Sequence, residues 1–201
     1  YIVDFSKRII DFGFDELQYD YIRFPSDGDV ENAVYPSWDG VTPKFLVMKG
    51  FFEYLNRALK EYKPEIILST DLFGYAAILA GDVGIGQRLE DIGDNFDYIS
   101  FMVYPSHYYS GLYLPLDSLR GLPRVNFNRF EARANPDVVV GRSMFVARDF
   151  LDGKISYATG TSRTLGFVYT SATTTSQRSK ARLRPWLEDF FHEQDAAAGR
   201  P

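Results

Sequence analysis

Four short runs of bulky residues, each closing on a polar group, alternate along this chain with stretches of helical periodicity. The first lies in Phe14-Asp15-Glu16-Leu17-Gln18-Tyr19-Asp20-Tyr21-Ile22-Arg23-Phe24-Pro25. It reads as a buried strand from Leu17 to Phe24, closed as a loop by Pro25-Ser26-Asp27-Gly28. Ile66 to Asp71 is the second, Asp97 to Pro105 the third, and Arg184 to Asp189 a shorter fourth. Between them, Lys44 to Tyr62 carries Phe45, Val47, Met48, Phe51, Phe52, Leu55 and Leu59 on one apolar stripe, the mark of an amphipathic helix. Pro43 suits its first turn and Thr42 its cap. Ile85 to Ile92, opened by Gly84 and Gly86, reads as a shorter helix, and Pro136 to Leu151 as a third. The chain opens in an amphipathic helix with Tyr1, Phe5, Ile9 and Phe12 at a spacing of three to four. Helix and strand in strict turn predict an α/β fold with a parallel sheet and right-handed crossovers.

Residues 152–180, rich in Thr, Ser and Gly, fit this order worst. They read as an insertion with a small β element, a strand being expected over Leu165–Tyr169. No internal repeat interrupts the pattern, so residues 1–201 form one domain. The helical start at Tyr1 and the ragged tail from Asp195 read as the cut ends of a larger domain. The sheet is therefore expected as an open arc with an edge strand.

Side chains alternate along a strand, so Gln18 shares a face with Asp20, Ser69 with Asp71, and Ser100 with Met102 and Tyr104. A carboxylate at the end of a buried strand is unfavourable unless it is paired or used. In α/β barrels that end of the sheet carries the catalytic groups. The plainer alternative is an Asp that caps a turn. The repetition over several strands favours one site assembled from their ends, with Asp20, Asp71, Tyr104 and Asp189 converging.

Composition removes several classes of function. The net charge is −5 and there is no basic block, which argues against a nucleic-acid partner. No cysteine is present, which excludes disulfides, thiolate catalysis and Cys-ligated zinc. No apolar stretch reaches the roughly 18 residues of a membrane span. The only histidines, His107 and His192, are far apart, so a His-rich metal site is not expected. His107, in the loop after the third run, suits a hydrogen bond to substrate or a structural role. Gly84-Ile85-Gly86 lacks the full phosphate-binding fingerprint and reads as a plain loop. Asp27-Gly28-Asp29 with Glu31 has too few ligands for a calcium loop.

Together, FDELQYDYIRFPSDG, STDLFGY, GIGQRLEDIGDNFDYISFMVYPSHY and LRPWLEDF resemble the putative glycoside hydrolase domain of bacteria, a former domain of unknown function in the TIM-barrel glycosidase group. The resemblance covers most of residues 5–111 and then 182–191. Residues 112–181 match it poorly, and Glu188 stands where its tryptophan motif is expected to carry Gln. The resemblance implies a parallel (β/α) barrel of TIM type, present here as an incomplete fragment, a carbohydrate substrate, no cofactor and an extracellular or cell-envelope location.

Glycoside hydrolysis ordinarily needs two carboxyl groups, one protonated and one charged. Asp20 and Asp71, on strands consecutive in the chain, are the expected pair: Asp20 as nucleophile or base, Asp71 as acid. Asp189, and less readily Glu188, is a third carboxylate for either role. Tyr104 suits a hydrogen bond to a carboxylate or the sugar. Arg23 is a partner for a carboxylate or for an outer ion pair, and Trp186 a stacking platform or a core residue. A catalytically silent carbohydrate-binding barrel is one alternative; a fragment that lacks barrel strands and is inactive by itself is another.

Overall fold

The computed structural model describes residues 1–79, 81–157, 167–169 and 179–189. His192, the tail from Asp195 and most of the 152–180 segment lie outside them. Helix α1 spans Ile2–Asp11 and strand β1 Glu16–Tyr19. Then follow α2, Lys44–Tyr62, β2, Ile67–Phe73, α3, Leu89–Gly93, and β3, Tyr98–Met102. After β3 come β4, Leu112–Leu114, β5, Val125–Phe127, α4, Arg129–Ala134, α5, Pro136–Leu151, β6, Ile155–Tyr157, and β7, Phe167–Tyr169. Strand β8, Arg182–Leu183, ends the series.

The central sheet has the order β1-β2-β3-β8 and every pairing in it is parallel. Gln18 lies opposite Ser69, Asp71 opposite Ser100, and Ile99 opposite Leu183. A bridge between Met102 and Trp186 carries the last pairing beyond β8. One face of the sheet is packed: Leu68, Thr70 and Leu72 of β2, with Ile99, Phe101 and Val103 along β3, are all buried. Phe52, Leu55 and Leu59 of α2, Leu89 and Ile92 of α3, and Val139 and Val146 of α5 belong to the same core. Each such side chain, once buried, stabilises the fold by about 1.5–3 kcal/mol. The other face carries the polar residues of the site.

Several boundaries differ from the sequence reading, each for a local reason. β1 ends at Tyr19 and not at Phe24, because Phe24 leaves the sheet to pack edge-on against Tyr35 and Trp38. β2 continues through Asp71 to Phe73. Pro43 is the residue before α2, and the Thr42 hydroxyl donates to Asp39 Oδ2 at 2.7 Å instead of capping the helix. α3 begins only at Leu89. Gly86 has φ +83, and a Cβ there would lie 2.5 Å from Met48 Cγ, so the chain passes α2 in a left-handed turn before any helix can start.

α1 turns a different face inward from the one expected. Val3, Ser6 and Ile10 are buried, whereas Tyr1, Phe5 and Phe12 are exposed. The Ser6 hydroxyl meets the Tyr19 hydroxyl at 2.7 Å, supplying the partner that a buried phenol needs. The segment between β3 and β8 adds two antiparallel pairs, β4 with β5 and β6 with β7. β7 falls within the run expected to form a strand; Leu165 and Gly166 lie outside the described residues.

Candidate active site

Asp71 sits two residues before the end of β2, on the polar face of the sheet, and is 8% exposed. Its Oδ1 accepts two hydrogen bonds, one from Gln18 Nε2 on the neighbouring β1 and one from Trp186 Nε1 at 2.9 Å. Parallel pairing explains the first contact: Gln18 is level with Ser69, so its amide reaches one step along the same face. The Met102–Trp186 bridge explains the second, since it brings the indole over the site from the far side of β3.

Burial pushes the Asp71 carboxyl above its ordinary range. The Trp186 and Gln18 donors pull the other way, the negative charge of Asp20 adds to the rise, and Arg184 opposes it. Asp20 itself is exposed, one residue past β1. There the chain turns sharply: Tyr21 adopts φ +55, uncommon for an aromatic residue, and its N–H donates to Asp20 Oδ1 at 2.8 Å. Two carboxyl groups thus sit within electrostatic reach of each other in unlike surroundings, one buried and one in solvent.

Tyr104 follows β3 and lies beside them. Burial raises its phenol pKa first, and the charges of Asp71, Asp20 and Glu188 raise it further. Glu188 is fixed by the backbone N–H of Ser106, which donates to its Oε2 at 3.0 Å. Ser106 Oγ is 2.9 Å from His107 Nδ1, and the rings of Tyr104 and His107 are 5.5 Å apart. Asp20, Asp71, Tyr104 and Glu188 are therefore grouped. Asp189 is exposed, and no hydrogen bond or ion pair among the described residues involves it. Arg23 lies on the loop after β1, its guanidinium 4.9 Å from the centre of the Tyr21 ring and donating to Phe24 O and Ser26 Oγ.

Below Asp71 is a cavity of about 430 Å³ lined by Glu16, Gln18, Ser100, Arg184, Pro185 and Trp186. Arg184 and Glu16 form a forked ion pair across it, and Ser69 Oγ donates to Glu16 Oε1 at 2.7 Å. The bond from Arg184 holds the Glu16 carboxyl below its ordinary range. Neither residue of this pair was singled out from the sequence, although alternation places Glu16 on the face of Gln18 and Arg184 on that of Trp186. A larger depression of about 800 Å³, between the turn at Gly74–Ala77 and the β4–β5 pair, is lined mostly by apolar residues such as Ile78 and Val125. It contains none of the carboxyl groups of the site.

The profile of a family described as the putative glycosyl hydrolase domain matches residues 1–198. The chain belongs to that family. Among curated proteins and solved structures, none matches the chain. Membership in the putative glycosyl hydrolase domain family suggests glycosidase activity in general and a carbohydrate substrate. Among the described residues, no group of His, Asp and Glu is arranged to hold a metal ion, and no helix is long and apolar enough to cross a membrane.

Proposed function

We propose that this domain is a glycosidase acting on a polysaccharide outside the cytoplasm, with Asp71 as general acid and Asp20 as nucleophile or base. Its sheet is read as an arc of a (β/α) barrel of TIM type. The observation that carries the reading is the contrast between the two carboxyl groups. Asp71, buried under an indole, is biased toward its protonated form; Asp20 is exposed beside it. A carboxyl whose burial raises its pKa, set near a second, solvent-exposed carboxyl, suits the acid role.

In this mechanism Asp71 gives its proton to the glycosidic oxygen as the bond to the anomeric carbon breaks. Asp20 either attacks that carbon or takes a proton from the attacking water. The Tyr104 phenol donates a hydrogen bond to a carboxylate or to the sugar, and His107 and Trp186 line the approach. The test is release of reducing ends from a panel of polysaccharides by the full-length protein, wild type against Asp20→Asn and Asp71→Asn. Loss of an acid or base costs about 10²–10⁴ in rate. Undiminished rates in both variants would overturn the pairing and pass the role to Asp189. Wild-type protein that binds polysaccharide without cleaving it would mark a carbohydrate-binding module.

A further inference from the structure

Trp186 and Gln18 come from opposite sides of β2, yet both place an N–H on the same oxygen of Asp71, Oδ1. No hydrogen bond from a described residue reaches Oδ2. A protonated carboxyl has one oxygen that donates and one that only accepts. An oxygen already receiving two N–H groups is the acceptor, because a hydrogen of its own would be crowded against both. We infer that Trp186 and Gln18 are positioning residues that confine the acid proton of Asp71 to Oδ2. Oδ2 is then the atom that must face the glycosidic oxygen.

The inference rests on the reading of Asp71 as acid and adds to it a role for the indole that is neither stacking nor core packing. It also has a kinetic side. As the proton leaves, Asp71 becomes a carboxylate and both N–H bonds become charge-assisted, hence stronger. Interactions that strengthen on the way to the transition state are the ones that accelerate a reaction. The other charged or titratable groups around Asp71 are Asp20 beyond β1, Arg184 with its partner Glu16, and Tyr104 and Glu188 beyond β3 and β8. None of them donates a hydrogen bond to Asp71, so the two N–H groups are the levers to remove.

The experiment uses the full-length protein carrying ¹³C-labelled Asp carboxyls, in wild-type form and as Trp186→Phe and Gln18→Met. Phe keeps a ring over the site without its N–H, and Gln18 is exposed, so at least one variant retains the fold. Each substitution removes a donor that favours the charged form, so the Asp71 titration moves to higher pH. The alkaline limb of kcat/KM moves with it. On substrates with poor leaving groups kcat falls about five- to tenfold, from the difference between a charged and a neutral hydrogen bond; with good leaving groups it is nearly unchanged. An Asp71 titration that stays in place in both variants overturns the inference. So does a rise in KM with every leaving group and a fixed alkaline limb, which would make Trp186 a stacking surface. The carboxyl titration is read without turnover, so its failure is distinct from failure of the hydrolase reading: a moved titration in a protein that cleaves no glycoside would sink that reading alone.

Discussion

Replacing Asp71 with Asn tests the site through stability as well as through rate. The substitution keeps the side chain's shape, and its Oδ1 still accepts from Trp186 and Gln18. It removes ionisation from a group whose pKa burial raises above the ordinary carboxylate value. A carboxyl whose folded pKa lies above its unfolded one makes the native state bind more protons, so stability falls as pH rises from the unfolded pKa through the folded one. Asn has no such dependence. Asp71→Asn and wild type are therefore expected to melt together near pH 3, and to separate in favour of Asn as pH rises through the Asp71 titration. Every tenfold difference in proton affinity between the two states amounts to about 1.4 kcal/mol. In a domain of this size, each kcal/mol is worth about 2–4 °C in Tm. Calorimetry from pH 3 to pH 8 measures the separation. Hydrolysis of natural polysaccharide by the same variant drops about 10²–10⁴-fold, while aryl glycosides with good leaving groups keep much of their rate. An Asn variant less stable than wild type at pH 7 would refute the reasoning, because the carboxylate would then be a favourable charged partner and not a group whose charged form burial disfavours.

Three further outcomes follow from packing and pairing. Phe52→Ala, at a position with no exposed surface and edge-on to Phe96, lowers stability by about 3–5 kcal/mol in urea titration. Arg184→Met lowers it by at most about 1 kcal/mol at pH 7, since both partners are partly exposed. Because the pair holds the Glu16 pKa down, that deficit is present above the ordinary carboxylate range and vanishes as pH falls through the folded pKa of Glu16. Ser6→Ala strands the Tyr19 hydroxyl and lowers stability by about 1–3 kcal/mol. Adding Tyr19→Phe should restore part of the loss, and a double-mutant cycle without coupling would contradict the bond.

The long elements were legible because their signals are redundant. α2 and α5 begin and end where the apolar stripes and the prolines at 43 and 136 place them. Shorter elements were less so. A run of bulky residues does not say which of them leave the sheet for another cluster, as Phe24 does. An amphipathic pattern does not say which stripe meets the core: on α1 the requirement of the Tyr19 hydroxyl brings Ser6 inward and leaves the larger aromatic stripe outside. β4 and β5, at three residues each, are too short for a periodicity to register. In the site, alternation places Gln18 and Asp71 on one face of neighbouring strands, where their side chains are bonded. What alternation alone does not convey is which donor meets which oxygen. The union of Trp186 with Asp71 depends on strand order, and strand order is not written in any one segment.

The ion pair between Glu16 and Arg184 joins residues 168 positions apart. Nearly the whole described chain must be in place before that contact exists, including the excursion through β4 to β7 that separates β3 from β8. An inserted excursion adds little closure entropy, because the penalty grows only with the logarithm of its length. Asp71 lies on β2 between β1 and β3, whereas its indole partner comes from beyond β3. The pairing that adds β8 to the sheet thus also brings Trp186 to Asp71, so the acid and its indole donor are joined by the same strand contact.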